Sequence, residues 1–123
     1  MSGNKMVIDT NIALYLLDGD KMLKEYLEDK VFYLSSITEL ELLGYKGITE
    51  TEEIAIEFFL EECSIVDMNR GVKDITINLR RNYKLKLPDA IIAATAIFLG
   101  IPLISADWHF DKIEDLVFIK YQP

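Results

Sequence analysis

Four acidic residues stand where a chain of alternating strands and helices would bring them to one edge of a sheet. Asp9 ends one short apolar run and Asp107 follows another by two residues, while Glu41 and Asp89 lie in the first turns of two helical patterns. Open α/β sheets bind ligands just beyond the carboxyl ends of their strands. Because carboxylates that converge there repel one another, a bound divalent cation would relieve the cost of burying them.

The ligands available to such a cation are almost all oxygen atoms. Cys63 and His109 are the only cysteine and histidine in the chain, so zinc is disfavoured and a hard cation, Mg²⁺ or Mn²⁺, is favoured. One or two such ions polarise a phosphodiester, lower the pKa of a bound water and neutralise the charge on the leaving oxygen. The acids therefore predict metal-assisted hydrolysis of phosphodiesters.

Each acid also has a purely structural interpretation. Asp9 suits a helix N-cap and Asp89 suits the first turn of a helix, where the dipole favours an anion. Asp107 suits a turn, and Glu41 suits the solvated face of a helix. The residues alone leave both interpretations open.

The elements that would position these acids alternate along the chain. Five short runs rich in β-branched or aromatic residues predict strands at 6–8, 31–34, 64–66, 103–105 and 117–119. Helical patterns occupy 12–17, 21–29, 37–43, 51–62, 69–82 and 88–99. This alternation predicts an α/β fold, a three-layer α/β/α sandwich around a mostly parallel five-stranded sheet.

Two helix starts carry local signals. Ser36 followed by Glu39 fits a capping box, in which each side chain accepts a hydrogen bond from the other residue's backbone amide, and this gives Glu39 a structural role. Pro88 suits the first helical position, and Gly100 suits the end of the almost wholly apolar helix that follows. Such a helix is buried, which places Asp89 at the edge of the core.

Length and composition bound the class of protein. The chain has 123 residues, of which 50% are hydrophobic and 28% charged, and this predicts a single packed domain over 1–123. The longest uncharged apolar stretch, 90–104, is interrupted and is shorter than the roughly 20 residues that cross a bilayer, so no membrane association is expected. The lone Cys63 and the lack of a signal-peptide pattern indicate a cytoplasmic location.

Charge is distributed unevenly along the chain. A net charge of −8 argues against a nucleic-acid partner, but the stretch 70–86 has six basic residues and one acid, a net +5, so the rest carries −13. If 69–82 is a helix, its basic residues recur near the helical period opposite an apolar face. The sequence therefore predicts a helix with a basic outer face, which is either a binding surface or an ordinary solvated face.

Four local motifs resemble those of PIN-domain ribonucleases. They are Val7-Ile8-Asp9-Thr10-Asn11, Ser36-Ile37-Thr38-Glu39-Leu40-Glu41-Leu42, Leu87-Pro88-Asp89-Ala90 and Ile104-Ser105-Ala106-Asp107-Trp108-His109-Phe110. The motifs occur in the family's order across nearly the whole chain, and the small size is most similar to the VapC-type toxins of toxin-antitoxin modules. Ser105 stands where threonine is commoner, and Trp108 and His109 match no signature of the family.

The resemblance implies a role for each matched position. The metal ligands, direct or through waters, would be Asp9, Glu41, Asp89 and Asp107. The residues that orient these ligands would be Thr10, Asn11 and Ser105, and Asp111 would be a further candidate for the same pocket. A metal-bound water would attack phosphorus in RNA, leaving 5′-phosphate and 3′-hydroxyl ends.

The resemblance also implies partners, namely an RNA substrate, a protein antitoxin and a second copy of the chain in a homodimer. The basic helix would then follow the RNA backbone. Its candidate RNA-binding residues are Arg70, Lys73, Arg80, Arg81 and Lys84. The helical segment 51–62 carries more apolar surface than one core-facing stripe needs, so it either packs entirely in the core or forms a groove for the antitoxin or a second copy.

Two alternatives belong to other functional classes. In a response-regulator receiver, Asp67 at the end of the third strand would accept a phosphoryl group. Receivers carry an acidic pair after the first strand, however, whereas Thr10 and Asn11 follow Asp9 here. An inactive PIN-like scaffold that only binds RNA is the other alternative, and the four intact acids favour an enzyme over it.

Overall fold

The computed structural model describes residues 2–123 and has eleven regular elements besides two short 3₁₀ turns, Ser2–Asn4 and Trp108–Phe110. The strands are β1 (Lys5–Ile8), β2 (Val31–Ser35), β3 (Ser64–Val66), β4 (Leu103–Ser105) and β5 (Phe118–Lys120). The helices are α1 (Thr10–Leu17), α2 (Lys21–Tyr26), α3 (Ser36–Leu43), α4 (Glu50–Glu61), α5 (Arg70–Asn82) and α6 (Leu87–Leu99). Every predicted element is present, and its ends differ from prediction by three residues at most.

All five strands pair in parallel, in the order β3-β2-β1-β4-β5. The chain runs outward from β1 to β3 and then returns to the other side of β1, so the strand order reverses between β1 and β4. Ile8 pairs with Ile104 at that point. The residues that follow these two strands therefore meet at the position where open α/β sheets bind ligands.

Helices cover both faces of the sheet, as the predicted three-layer sandwich requires. Because side chains alternate along a strand, Val7 and Leu103 pack with α5 and α6 on one face. Ile8 and Ile104 point to the opposite face and pack with residues of α1 to α4. Two separate hydrophobic cores hold the strand ends in register, and both lie directly beneath the acidic edge.

Helix α6 is buried along most of its length, as its apolar sequence predicts. Every residue of the segment 90–96 is buried. Gly100 ends the helix in the left-handed conformation with φ of 69°, which glycine adopts without steric cost. The helix begins at Leu87, so Pro88 is its second residue and not the predicted first. Asp89 remains in the first turn, where α6 starts at the carboxyl edge of the sheet.

The predicted capping box of Ser36 and Glu39 is wrong. Strand β2 continues to Ser35, and α3 begins at the next residue, so Ser35 is the N-cap and its hydroxyl accepts from the Ile37 amide at 3.2 Å. This shift places Glu39 one position beyond the third helical residue, from which a side chain can reach back to the cap. A capping box does form before α4, where Thr49 and Glu52 bond each other's amides.

The receiver alternative is inconsistent with the strand order. Receiver domains follow the order 2-1-3-4-5, whereas this sheet has β2 between β1 and β3. Asp67 follows the edge strand β3 and is exposed, two strands away from Asp9.

Within residues 2–123, the structure has no helix with the length and apolar character that a membrane span requires.

Candidate active site

Asp9 combines a structural role with a buried carboxylate. It is the N-cap of α1, and its Oδ1 accepts from the Ile12 amide at 2.9 Å. Its other oxygen, Oδ2, accepts a hydrogen bond from the Ser105 hydroxyl, and the residue is only 5% exposed. The capping interpretation of Asp9 is therefore correct, and one oxygen still faces the neighbouring strand end.

Ser105 joins the ends of β1 and β4. Besides donating to Asp9, its fully buried hydroxyl accepts from the Asp107 amide at 2.9 Å. The parallel pairing of β1 with β4 explains this contact, because Ile8 and Ile104 are partners and the next residues of both strands lie side by side. One hydroxyl thus sets the spacing between two of the four acids.

Asp107 opens the 3₁₀ turn Trp108–Phe110. Its Oδ1 accepts from the His109 amide at 2.9 Å and lies 2.6 Å from the His109 ring Nδ1. The Asp107 side chain is 29% exposed and the His109 side chain 69% exposed. Asp107 is therefore a turn former, as its structural interpretation predicts, and also presents a carboxylate to solvent beside Asp9.

Glu41 lies on α3 and is held by a threonine of α1. Its Oε1 accepts from the Thr10 hydroxyl at 2.6 Å, and that hydroxyl lies 3.2 Å from the hydroxyl of the buried Thr38. Thr38 is one helical turn before Glu41, so both face α1. Sequence reasoning missed Thr38, although this i, i+3 spacing on α3 is visible in the sequence.

Electrostatics link the four acids. Burial raises the pKa of Asp9 above its ordinary value, and the charges of Asp107 and Asp89 raise it further, against hydrogen bonds from Ser105 and Ile12. Burial also raises the pKa of Asp89, as do the charges of Asp107 and Glu41, whereas His109 and Lys86 lower it. Asp107 acts on both Asp9 and Asp89, and Glu41 acts on Asp89, so these carboxylates lie near enough for their charges to interact.

The chemistry of these side chains fits a hard divalent cation. The donors are carboxylate oxygens whose shared repulsion a 2+ charge would relieve. In residues 2–123, no three acidic, histidine or cysteine side chains lie close enough to enclose an ion by themselves. A cation at this edge would therefore need water molecules to complete its coordination, as Mg²⁺ does.

A cleft of about 550 Å³ opens beside the acids and has a cationic wall. Its lining comprises Arg80, Lys84, Leu85, Lys86, Asp89, Asp107, His109 and Lys112. Arg80 Nη1 donates to the Leu85 carbonyl at 2.9 Å, and Lys112 Nζ donates to the Lys84 carbonyl at 3.1 Å. These two bonds hold the connection between α5 and α6 against the cleft, where it presents the side chains of Lys84 and Lys86.

The structure does not bring every predicted residue to this site. Among the candidate RNA-binding residues, Arg80 and Lys84 line the cleft, whereas Arg70, Lys73 and Arg81 are exposed on α5 outside its lining. Asn11 is exposed on α1. Asp111 is also exposed and is not part of the cleft lining, so its place in the pocket stays a prediction. Phe110 turns into the core, so the next side chain points to solvent.

Removing the Ser105 hydroxyl tests its link between the acids. In Ser105→Ala, Asp9 loses a hydrogen bond that lowers its pKa, and the Asp107 amide loses its acceptor. We expect the metal-assisted phosphodiester hydrolysis predicted for these acids to fall roughly 10- to 100-fold, as when a group that orients a metal ligand is removed. The acidic limb of the pH–rate profile should move to higher pH, because the pKa of Asp9 rises further.

Ser35→Ala is the matched control for this prediction. Ser35 is also a buried serine at the carboxyl end of a strand, but its hydroxyl caps α3 and touches none of the four acids. Its loss should cost about 1 kcal/mol of stability and leave the pH–rate profile in place. Equal effects of the two variants on that profile would show that Ser105 acts only through the fold.

Comparison with known proteins identifies the family. A model of the PIN domain matches residues 6–116, so the chain belongs to the PIN-domain family. Comparison with curated protein sequences gives no match. The predicted resemblance to PIN-domain proteins is therefore confirmed over most of the chain.

Solved toxin-antitoxin structures share the fold. In a toxin-antitoxin complex from Klebsiella pneumoniae, a chain 33% identical to this one superposes with a TM-score of 0.78, over 91% of this chain and 95% of that chain. In VapBC2 of Rickettsia felis bound to a promoter DNA fragment, the values are 20% identity, TM-score 0.84 and coverage of 96% and 99%. A chain of VapBC-1 from nontypeable Haemophilus influenzae is 24% identical and superposes with a TM-score of 0.78, over 94% of this chain and 97% of that chain. The expected similarity to VapC-type PIN proteins is confirmed.

Proposed function

We propose that this protein is a Mg²⁺- or Mn²⁺-dependent endoribonuclease and the toxin of a VapBC-type toxin-antitoxin pair. The observation that carries the proposal is the electrostatic coupling of Asp9, Glu41, Asp89 and Asp107 at the point where the strand order reverses. Carboxylates held together at a functional edge, with the pKa values of Asp9 and Asp89 raised, indicate a site built for a cation and not for stability.

The metal would be held by Asp9, Glu41, Asp89 and Asp107, directly or through waters. A cation bound there supplies Lewis-acid stabilisation of the phosphodiester and of the water that attacks it. Ser105 fixes the Asp9 carboxylate and the Asp107 backbone, and Thr10 fixes Glu41. In the hydrolysis, water oxygen bonds to phosphorus, the P–O3′ bond breaks, and the 3′ oxygen takes up a proton.

The cationic wall of the cleft explains how an acidic protein binds a polyanion. Lys84, Lys86 and Lys112 stand beside Asp89 and Asp107, so the phosphates that flank the scissile bond would meet positive charge. Arg80 has a mainly structural part, because its guanidinium holds the Leu85 carbonyl. Arg70, Lys73 and Arg81 would contact only a longer RNA that continues along α5.

An antitoxin is the protein partner that the comparisons favour. The matched chains come from toxin-antitoxin complexes, and one of them is 33% identical to this chain. A groove of about 660 Å³ between α2 and α4 contains none of the four acids and is lined in part by Phe58, which is 66% exposed. Core packing therefore accounts for only part of the apolar surface of α4. An antitoxin in this groove and a homodimer both remain predictions.

Incubation of total RNA with the purified, antitoxin-free protein tests the proposed activity. We expect cleavage with Mg²⁺ or Mn²⁺ and none with EDTA, because activation of the attacking water and neutralisation of the leaving oxygen require the cation. The products should accept a label from polynucleotide kinase only after phosphatase treatment, since their 5′ ends carry phosphate. A DNA oligonucleotide of matched sequence measures the preference for RNA.

Each outcome of this experiment bears on the proposal. Cleavage that persists in EDTA would contradict metal dependence, and products with free 5′ hydroxyls would contradict the direction of bond breakage. Absence of cleavage with either metal, by a protein whose melting curve shows it folded, would favour the inactive RNA-binding scaffold.

A further inference from the structure

Trp108 is an exposed aromatic side chain next to a site acid. It directly follows Asp107 in the sequence and is 65% exposed, although tryptophan is a highly buried residue type on average. The side chain contributes little to either core, whereas Phe110, two residues later, is 1% exposed. The turn that carries Asp107 therefore buries one aromatic ring and presents another to solvent.

The orientation of Trp108 is fixed by its neighbours. Its carbonyl accepts from the Asp111 amide at 3.1 Å, and the buried Phe110 holds the turn in the core. The Lys120 ammonium lies over the indole ring, a cation–π contact. Lys120 is the last residue of β5 and pairs with Ser105, so the ring lies at the carboxyl edge of the sheet, on the β5 side of the acids.

The surroundings of Trp108 are polar and charged. His109 and Asp111, on either side of Phe110, are exposed, and Lys120 covers part of the ring. A surface that docks another protein presents a contiguous apolar patch, whereas an isolated aromatic ring beside a cation is typical of sites that bind single-stranded nucleic acid. The side chain is 65% exposed although Lys120 lies over the ring, so indole surface is left for stacking.

We infer that Trp108 stacks on an unpaired base of the substrate, next to the phosphodiester that lies at Asp107. This inference rests on the proposed function and adds to it that the nucleotide at this position is single-stranded. Lys120 holds the ring in place and also offers a cation to the adjoining phosphate. Trp108 is thus a residue that positions the substrate, and the cationic cleft and the indole lie on two sides of the same acids.

The single tryptophan of the chain gives a readout that does not depend on cleavage. We expect short single-stranded oligoribonucleotides, added in EDTA, to quench Trp108 fluorescence. Duplexes of the same sequence should quench it less. In a series of oligonucleotides with one abasic residue moved along the chain, quenching should be lost at one position. Quenching that is insensitive to every abasic position would overturn the inference, because it would report only the backbone charge.

Three substitutions separate stacking from simple apolar contact. In the cleavage assay, Trp108→Ala and Trp108→Leu should raise KM roughly 5- to 150-fold, the range expected for the loss of one stacked base, with kcat little changed. Trp108→Phe keeps a flat ring and should retain most of the wild-type KM. Leucine performing as well as phenylalanine would overturn stacking. Because the side chain is exposed, all three variants should melt like wild type.

Failure of this inference is distinguishable from failure of the proposed function. Metal-dependent cleavage with unchanged KM in Trp108→Ala would leave the nuclease in place and remove the stacking role. Base-dependent quenching without cleavage would support stacking by Trp108 and contradict the proposed nuclease activity. Fluorescence that changes with protein concentration alone, together with a smaller sedimentation coefficient for Trp108→Ala, would assign the indole to an interface between copies and overturn the inference.

Discussion

Replacing Asp9 by asparagine is expected to abolish RNA cleavage while leaving the fold intact. Loss of groups that only orient a metal ligand costs 10- to 100-fold, so loss of a ligand carboxylate should cost at least about a hundredfold. Asparagine caps a helix as well as aspartate does, and its Oδ1 can still accept from the Ile12 amide. The substitution thus removes charge with almost no change in shape, and single-turnover cleavage in Mg²⁺ measures the effect.

The same variant should be at least as stable as wild type at neutral pH without metal. Because burial raises the pKa of Asp9 in the folded state, ionisation of Asp9 costs stability as pH rises from its ordinary pKa of 3.8 through the raised value. Asp9→Asn lacks that loss. The variant should therefore melt at a higher temperature than wild type at pH 7, and this difference should shrink toward pH 4. Because the other carboxylates are the same in both proteins, their titration does not contribute to the difference.

Asp29→Asn is the matched control for Asp9→Asn. Asp29 is an exposed aspartate just before β2, at the amino edge of the sheet and opposite the acids. It should change cleavage by less than about twofold, since surface substitutions away from special features have small effects. If Asp9→Asn retained more than a tenth of wild-type cleavage, or lost activity only because it melted early, Asp9 would not be a metal ligand.

The fold could be predicted because burial dictates the pattern of this sequence. Strands buried on both faces must be short apolar runs, and helix α6 must be apolar all round because it lies between the sheet and α5. The strand order was not predicted, since no local pattern encodes which neighbour β4 selects. The start of α3 shows a finer limit. Ser35 and Ser36 are both good N-caps, and only the pairing of Ser35 with Val66 on β3 decides between them.

The candidate site, like the fold, could be predicted from the sequence only in part. Asp9, Asp89 and Asp107 could be found because each follows a strand or opens a helix, and such positions converge at one edge of a parallel α/β sheet. Glu41 lies further along α3, and the spacing of its motif indicates it instead. The cationic wall could not be found in full. Lys112 is distant in sequence from the basic stretch 70–86, and only the bond from Lys112 to the Lys84 carbonyl brings it to the cleft. The basic residues of the stretch 70–86 therefore predicted a positively charged surface, but not that this surface lies at the cleft.

Phe110→Ala is expected to give the largest loss of stability among the substitutions considered. The Phe110 ring is 1% exposed and packs against Phe118 with centroids 6.1 Å apart. Deleting a buried phenylalanine side chain leaves a cavity and costs about 3–5 kcal/mol, a large part of the about 5–15 kcal/mol that stabilises a domain. Urea unfolding should show a lower midpoint with an unchanged slope.

Phe58→Ala removes the same atoms from the surface of α4, where the side chain is 66% exposed, and should cost about 0.5 kcal/mol or less. Running both variants at two protein concentrations separates folding from association, because only an associating protein shows a shift. Equal losses would mean that the turn after Asp107 is not anchored by Phe110. A large loss of stability in Phe110→Ala alone would support the view that the buried Phe110 ring holds the turn with Asp107 and Trp108 in place. The stability of the core and the geometry of the site would then depend on the same residue.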